Sequence, residues 1–94
     1  MMGKNTVVRT MMIPCVEIRV KTYYDSLDRN YFHNKQFKTP GPAAKHWALY
    51  KATEWADKKV WADWKDRARY QDYLYEKFLR RAKPVFERLL KSPT

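Results

Sequence analysis

Apolar and polar residues alternate over residues 16–24, with the period of two that is typical of a half-buried β-strand. Val16, Ile18 and Val20 would lie on the buried face, with charged residues between them facing solvent. Residues 6–13 are rich in the β-branched residues that strands favour. The pattern therefore predicts two strands in this part of the chain.

A polar segment follows and predicts a turn. Residues 25–30, DSLDRN, carry Asp, Ser and Asn side chains of the kind that bond the local backbone in turns. Residues 31–37 would form the return strand, so we expect an antiparallel β-hairpin over residues 16–37. With residues 6–13 as a third strand, the hairpin becomes a three-stranded sheet.

The second half of the chain predicts helices. Gly and Pro are absent from Ala43 to Ala82, in a run that is rich in Ala, Lys, Leu and Trp. Pro42 precedes the run, and proline suits the first position of a helix. The run forms either one long helix or two helices with a break near Lys58 or Arg67.

Near the C-terminus, Pro84 is expected to end or kink the helix, because proline has no backbone N–H to donate. A short last helix is predicted after it, over residues 85–91. The predicted fold is therefore a single α+β domain over residues 1–94. Its β-sheet part spans residues 6–37 and its helical part spans residues 42–91.

The balance of basic and acidic residues indicates what the protein binds. Lys and Arg number 20 against 10 Asp and Glu, which gives a net charge of +10. The excess is +4 over residues 1–40 and +6 over residues 41–94, so it is not confined to a tail. A chain with this charge attracts polyanions. We therefore predict binding to nucleic acid, and the aromatic residues that we expect at the surface favour RNA over DNA.

In the helical run, nine residues recur at steps of three or four, and in a continuous helix they would share one face. They are Lys51, Trp55, Lys58, Ala62, Lys65, Arg69, Tyr73, Lys77 and Arg80. The basic residues would meet phosphates, while Trp55 and Tyr73 would stack on unpaired bases. The alternative is that these two aromatic residues belong to the core or a dimer interface and the lysines to an ordinary solvated face.

Other basic residues extend this candidate interface. Arg81 and Lys83 follow the series towards the C-terminus, and Arg19 and Lys21 lie on the predicted hairpin. The hairpin residues also suggest a second function, in which Arg19, Lys21 and Tyr23 read a groove of duplex DNA.

The chain offers little for catalysis. His33 and His46 are its two histidines, Cys15 is its one cysteine, and no metal-binding or phosphate-loop motif is present. We expect no enzymatic activity, no metal and no cofactor. A single cysteine and the absence of a signal sequence favour the cytoplasm, and no apolar run is long enough to span a membrane. Fifteen aromatic residues exceed the needs of one small core, which favours a homodimer.

Two resemblances bear on these interpretations. Residues 35–52, KQFKTPGPAAKHWALYKA, resemble the strand-to-helix junction of AP2-type DNA-binding modules. That resemblance implies a DNA-binding module in which a hairpin is followed by a helix.

The segments YYDSLDRNYF and GPAAKHWALYKATEWADKK, together with the dense mixture of Trp, Tyr and Lys, resemble small early proteins of T-even-like bacteriophages. Among these is the TifA type of inhibitor of the ToxN endoribonuclease toxin. The resemblance implies an RNA-binding counter-defence factor in the host cytoplasm, with the toxin as its partner. A third interpretation is a protein-only inhibitor that binds an acidic surface of a host enzyme.

Overall fold

The computed structural model describes residues 15–91, and this part of the chain is built from helices. Helix α1 covers residues 15–26. It is followed by α2 (Arg29–Asn34), α3 (Pro40–Asp57) and α4 (Trp64–Lys91). No strand occurs within residues 15–91, so the predicted α+β class is wrong. The strand predicted for residues 6–13 lies outside the described residues.

The β-hairpin predicted over residues 16–37 is replaced by α1 and α2. Residues four apart share a face in a strand and in a helix alike, so part of the alternating pattern fits both. Val16, Val20 and Tyr24 have this spacing and are buried on one side of α1. Ile18 distinguishes the two structures, because a strand would bury it with Val16 and Val20, whereas here it is 65% exposed.

A turn does occur within the polar segment 25–30, but it joins two helices. Asp28 begins α2 as its N-cap residue, and its carboxylate accepts a hydrogen bond from the backbone N–H of Asn30 at 3.0 Å. Ser26 donates its hydroxyl hydrogen to the carbonyl oxygen of Tyr23 at 2.8 Å. The side chains therefore bond the local backbone, and the elements on either side differ from those expected.

Helix α3 packs against α4 and also contacts α1, and α1 in turn contacts α4. Its buried face consists largely of small side chains, which let the neighbouring helices approach closely: Ala43, Ala44, Ala48, Ala52 and Ala56. Gln71 of α4 donates from Nε2 to Oγ1 of Thr53 at 3.0 Å, and Arg67 pairs with Asp57. These contacts show that α4 runs antiparallel to α3.

Helix α4 continues through Pro84 to Lys91, so the separate helix predicted over residues 85–91 is wrong. Ala82 lies just before the proline, and Val85 and Phe86 follow it, and all three are buried. Both sides of the proline thus pack against the same core. That burial outweighs the cost of about 3 kcal/mol for a proline in a helix interior.

The core is centred on Phe32 of the short helix α2, which is fully buried. Its ring stacks on Tyr24 at 4.8 Å and on Phe37 at 5.3 Å, and lies 5.8 Å from Phe86 of α4. The described part measures 43 × 39 × 19 Å, which is a flat shape.

Candidate nucleic-acid interface

The nine residues predicted to share one face, from Lys51 to Arg80, can do so only in one continuous helix. The chain does not form such a helix. Helix α3 ends at Asp57, and α4 begins at Trp64 and runs back along it. Residues before and after this break therefore belong to different helices. The alternative with two helices is the correct one, and the break falls near Lys58.

Three of the predicted residues meet at one indole ring. Arg19 of α1 has its Cζ atom 5.6 Å from the centroid of the Trp55 ring, and the Nζ atom of Lys58 lies 4.9 Å from it. The indole is half-buried, and Phe78 of α4 contacts it edge-on at 6.2 Å. We call Arg19, Trp55 and Lys58 the Trp55 cluster. It holds two cations over one aromatic ring, a favourable arrangement.

Lys51 lies one helical turn before Trp55, on the side of α3 that meets α1. Its Nζ atom is 5.3 Å from the centroid of the Tyr50 ring and 3.3 Å from Oε1 of Glu54. Lys51 and Arg19 both line a groove between α1 and α3. We call this groove and the Trp55 cluster together the α1–α3 face.

Lys21 does not line this groove. Its Nζ atom lies 2.7 Å from Oδ2 of Asp25, and Arg29 lies 3.6 Å from the other carboxylate oxygen. The hydrogen bond from Lys21 lowers the pKa of Asp25 below its usual value. Much of the charge of Lys21 is thus neutralised locally.

The predicted residues of α4 form a second group, on the exposed side of that helix. We call them the α4 row: Lys65, Arg69, Tyr73, Arg80 and Lys83. Glu76, also exposed, interrupts the row between Tyr73 and Arg80. Because these residues face away from the core, they remain open to solvent.

The two remaining predicted residues lie at the edge of the α4 row. Lys77 is half-buried, with its Nζ atom 3.3 Å from the hydroxyl oxygen of Tyr73 and 5.4 Å from the ring centroid. Arg81 is half-buried and lines a separate groove beside Val16 and Pro84. Arg81 therefore contributes to a different surface from Lys83.

Sequence reasoning missed several residues of the basic surfaces. Tyr50 and Ile18 are exposed and line the groove between α1 and α3. Lys59 has its Nζ atom 4.3 Å from the ring centroid of Tyr70. No local pattern identifies Ile18 and Tyr50, because they are 32 residues apart and only the packing of α1 on α3 brings them together.

Each of the two histidine side chains forms a hydrogen bond with a tyrosine hydroxyl. The hydroxyl of Tyr23 lies 2.6 Å from Nδ1 of His46, and the hydroxyl of Tyr24 lies 2.5 Å from Nε2 of His33. Burial, with Tyr31 and Tyr50 nearby, raises the pKa of Tyr23 to about 12. These pairs join α1 to α2 and α3. Within residues 15–91, no group of three or more His, Cys, Asp or Glu side chains is placed to hold a metal ion.

No protein family, no curated protein and no solved structure matches this chain. No helix in the described part of the chain is long and apolar enough to cross a membrane. The geometry of the basic surfaces is therefore the basis for a functional proposal.

Proposed function

We propose that this protein binds single-stranded nucleic acid, and RNA in preference to DNA, through the α1–α3 face. The observation that supports this most is the Trp55 cluster, where cations from two separate parts of the chain stand over one indole ring. Among residues 15–91, neither Arg19 nor Lys58 forms an ion pair with a carboxylate. Both charges are thus available to a phosphate.

The chemistry of single-stranded nucleic acid fits this arrangement. Arg19 and Lys58 would each neutralise a phosphate, and release of the condensed counterions would supply affinity. The accessible part of the Trp55 ring would contact a base, because every base presents a flat π-face. The α4 row would raise the local concentration of the strand by long-range attraction.

The preference for RNA rests on the aromatic residues beside the cations. RNA is recognised mainly where its bases are unpaired and can stack on aromatic side chains. The competing prediction of DNA binding drew on a resemblance to AP2-type modules. It depended on a β-hairpin over residues 16–37. That segment is largely helical, so this alternative loses its structural basis.

Binding of a labelled single-stranded RNA, measured by fluorescence anisotropy over a range of salt concentrations, tests the proposal. The double variant Arg19→Glu/Lys58→Glu should bind at least about tenfold more weakly. The slope of log K against log salt should become shallower by about 1.4, since each phosphate contact contributes about 0.7 for single strands.

The matched control is Lys35→Glu/Lys38→Glu. It makes the same change in net charge at two exposed residues between α2 and α3. Equal losses in both double variants would reduce the proposal to non-specific attraction. Wild-type binding that does not weaken with salt would contradict it outright.

The resemblance to phage toxin inhibitors extends the proposal to a partner, a host toxin endoribonuclease of the ToxN type. Capture of that toxin by the tagged protein, with and without nuclease treatment, separates the alternatives. A complex that nuclease destroys indicates bridging by RNA. A complex that survives nuclease indicates a protein-only inhibitor, and no complex in either arm rejects this extension.

A further inference from the structure

We propose that the groove between α1 and α3 is a subsite for one unpaired nucleotide, with its base between Ile18 and Tyr50 and its phosphate on Arg19 and Lys51. This inference rests on the proposed function and adds the unit of ligand that the face recognises. The size of the groove, its exposed apolar walls and its charges support this assignment.

The size of the groove fits part of a larger ligand. Its volume is about 260 Å³, slightly below the ~300 Å³ at which pockets begin to bury whole drug-sized molecules. A single base fits such a volume, with its sugar and phosphate at the rim. A paired base does not become accessible in this way, because its face is covered by its neighbours in the duplex.

The apolar walls of the groove are unusually accessible. Ile18 of α1 is 65% exposed and Tyr50 of α3 is 44% exposed, and both line this groove. Two large apolar side chains from different helices therefore face the same space and leave it open. A flat apolar group inserted between them would remove both surfaces from water, a favourable change.

The Tyr50 ring is held in place by its neighbours. Tyr23, which also lines the groove, contacts it, with ring centroids 5.5 Å apart and planes inclined by 58°. The hydroxyl of Tyr23 is in turn 2.6 Å from Nδ1 of His46. This support reduces the side-chain entropy that a base would otherwise have to remove on binding.

The charges of the groove select an anion. Arg19 and Lys51 line it, and no carboxylate is among its lining residues. Glu54 approaches Lys51 at 3.3 Å in a part-buried contact, and a phosphate in the groove would take the place of this carboxylate. A neutral aromatic ligand would leave both cations unused, and an aliphatic anion would leave the Tyr50 ring uncovered. A nucleotide satisfies both requirements.

The test compares Tyr50→Leu with Trp64→Leu, its matched control at an exposed aromatic residue of α4 that lies outside both the groove and the α4 row. The probe is an oligoadenylate RNA that contains one 2-aminopurine, whose fluorescence falls when it stacks. Tyr50→Leu should weaken binding about tenfold and restore the fluorescence of the bound probe. Trp64→Leu should change neither. Tyr50→Trp keeps an aromatic face and should retain wild-type binding, which shows that the site tolerates substitution.

Free AMP distinguishes the two sources of a nucleotide. Competition by AMP that Tyr50→Leu abolishes supports a subsite open to free nucleotides. If AMP does not compete but Tyr50→Leu still weakens the oligonucleotide, the subsite takes a nucleotide within a strand. Binding of a blunt RNA duplex should not change in Tyr50→Leu.

Different experimental outcomes would reject the nucleotide subsite and the proposed function. If Tyr50→Leu binds the probe like wild type while Arg19→Glu/Lys58→Glu is weakened, the nucleotide subsite is rejected and the function stands. An equal loss in Tyr50→Leu and Trp64→Leu also rejects the subsite. If the wild-type protein binds neither the probe nor AMP, both the nucleotide subsite and the proposed function are rejected.

Discussion

At the scale of single residues, Tyr23 connects the core to the candidate interface. Its ring meets Phe32 edge-on at 6.2 Å, and its hydroxyl lies 2.6 Å from His46 on α3. The Tyr23 ring also contacts the ring of Tyr50, with centroids 5.5 Å apart. A hydroxyl in this position is costly to ionise, because burial and the nearby Tyr31 and Tyr50 disfavour a phenolate.

This gives a prediction for alkaline pH. The pKa of Tyr23 rises from 10.0 to about 12 on folding. The stabilising effect of its protonated form is complete below the unfolded pKa and is lost as pH rises towards the folded one. We therefore expect the free energy of unfolding to fall between pH 10.0 and pH 12.

Urea unfolding of the wild type and of Tyr23→Phe, at several pH values, measures this contribution. The wild type should be more stable at neutral pH, because it keeps the hydrogen bond to His46, and its advantage should shrink across the alkaline window. Lysines titrate in both proteins and cancel in the difference. An advantage that stays constant with pH would contradict the assignment.

At the scale of helices, the molecule depends on α4 remaining one element across its proline. Pro84 cannot donate to the carbonyl oxygen of Arg80, so one hydrogen bond of the helix is missing. The burial of Val85 and Phe86 keeps the last turns in place. Arg88 adds an exposed ion pair to Glu17 of α1 at 2.7 Å, which is a small contribution.

We predict that Pro84→Ala stabilises the protein by as much as about 3 kcal/mol, because it restores the missing donor without changing the buried side chains. Thermal and urea unfolding would measure the gain, with Lys83→Ala as the control at the neighbouring exposed residue. A loss of stability in Pro84→Ala would mean that the proline ring is needed where it borders the groove beside Val16.

At the scale of the whole molecule, seven of the 20 Lys and Arg residues form two kinds of surface. The α1–α3 face combines cations with aromatic rings in direct contact. The α4 row is made largely of exposed basic residues on one side of a single helix. Residues that contact the RNA directly and residues that only attract it from a distance respond differently to salt. Long-range attraction is screened beyond a Debye length.

We therefore expect charge reversal of the α4 row in Lys65→Glu/Arg69→Glu to slow association with single-stranded RNA at low salt. The effect should largely disappear at roughly 0.5 M salt, where the Debye length is only a few ångströms. Stopped-flow fluorescence measures the rate. If this variant also speeds dissociation at high salt as much as Arg19→Glu/Lys58→Glu does, the α4 row makes direct contacts and the division is wrong.

Several properties of this chain follow from local features of its sequence. The charge is a property of composition, and folding does not alter its sum. The run from Ala43 to Ala82 excludes Gly and Pro and favours helix throughout, and α3 and α4 occupy most of it. The polar segment 25–30 contains a turn because its side chains bond the backbone next to them.

Other features depend on contacts between residues that are distant in the chain. The spacing of Val16, Val20 and Tyr24 fits a strand or a helix equally, and the core supplied by α2 and α4 selects the helix. Pro84 stays inside α4 because packing on both sides of it outweighs a local penalty. Arg19 and Trp55 are 36 residues apart and meet only when α1 packs on α3. Composition and spacing report on neighbours along the chain, whereas the candidate interface is made by neighbours in space.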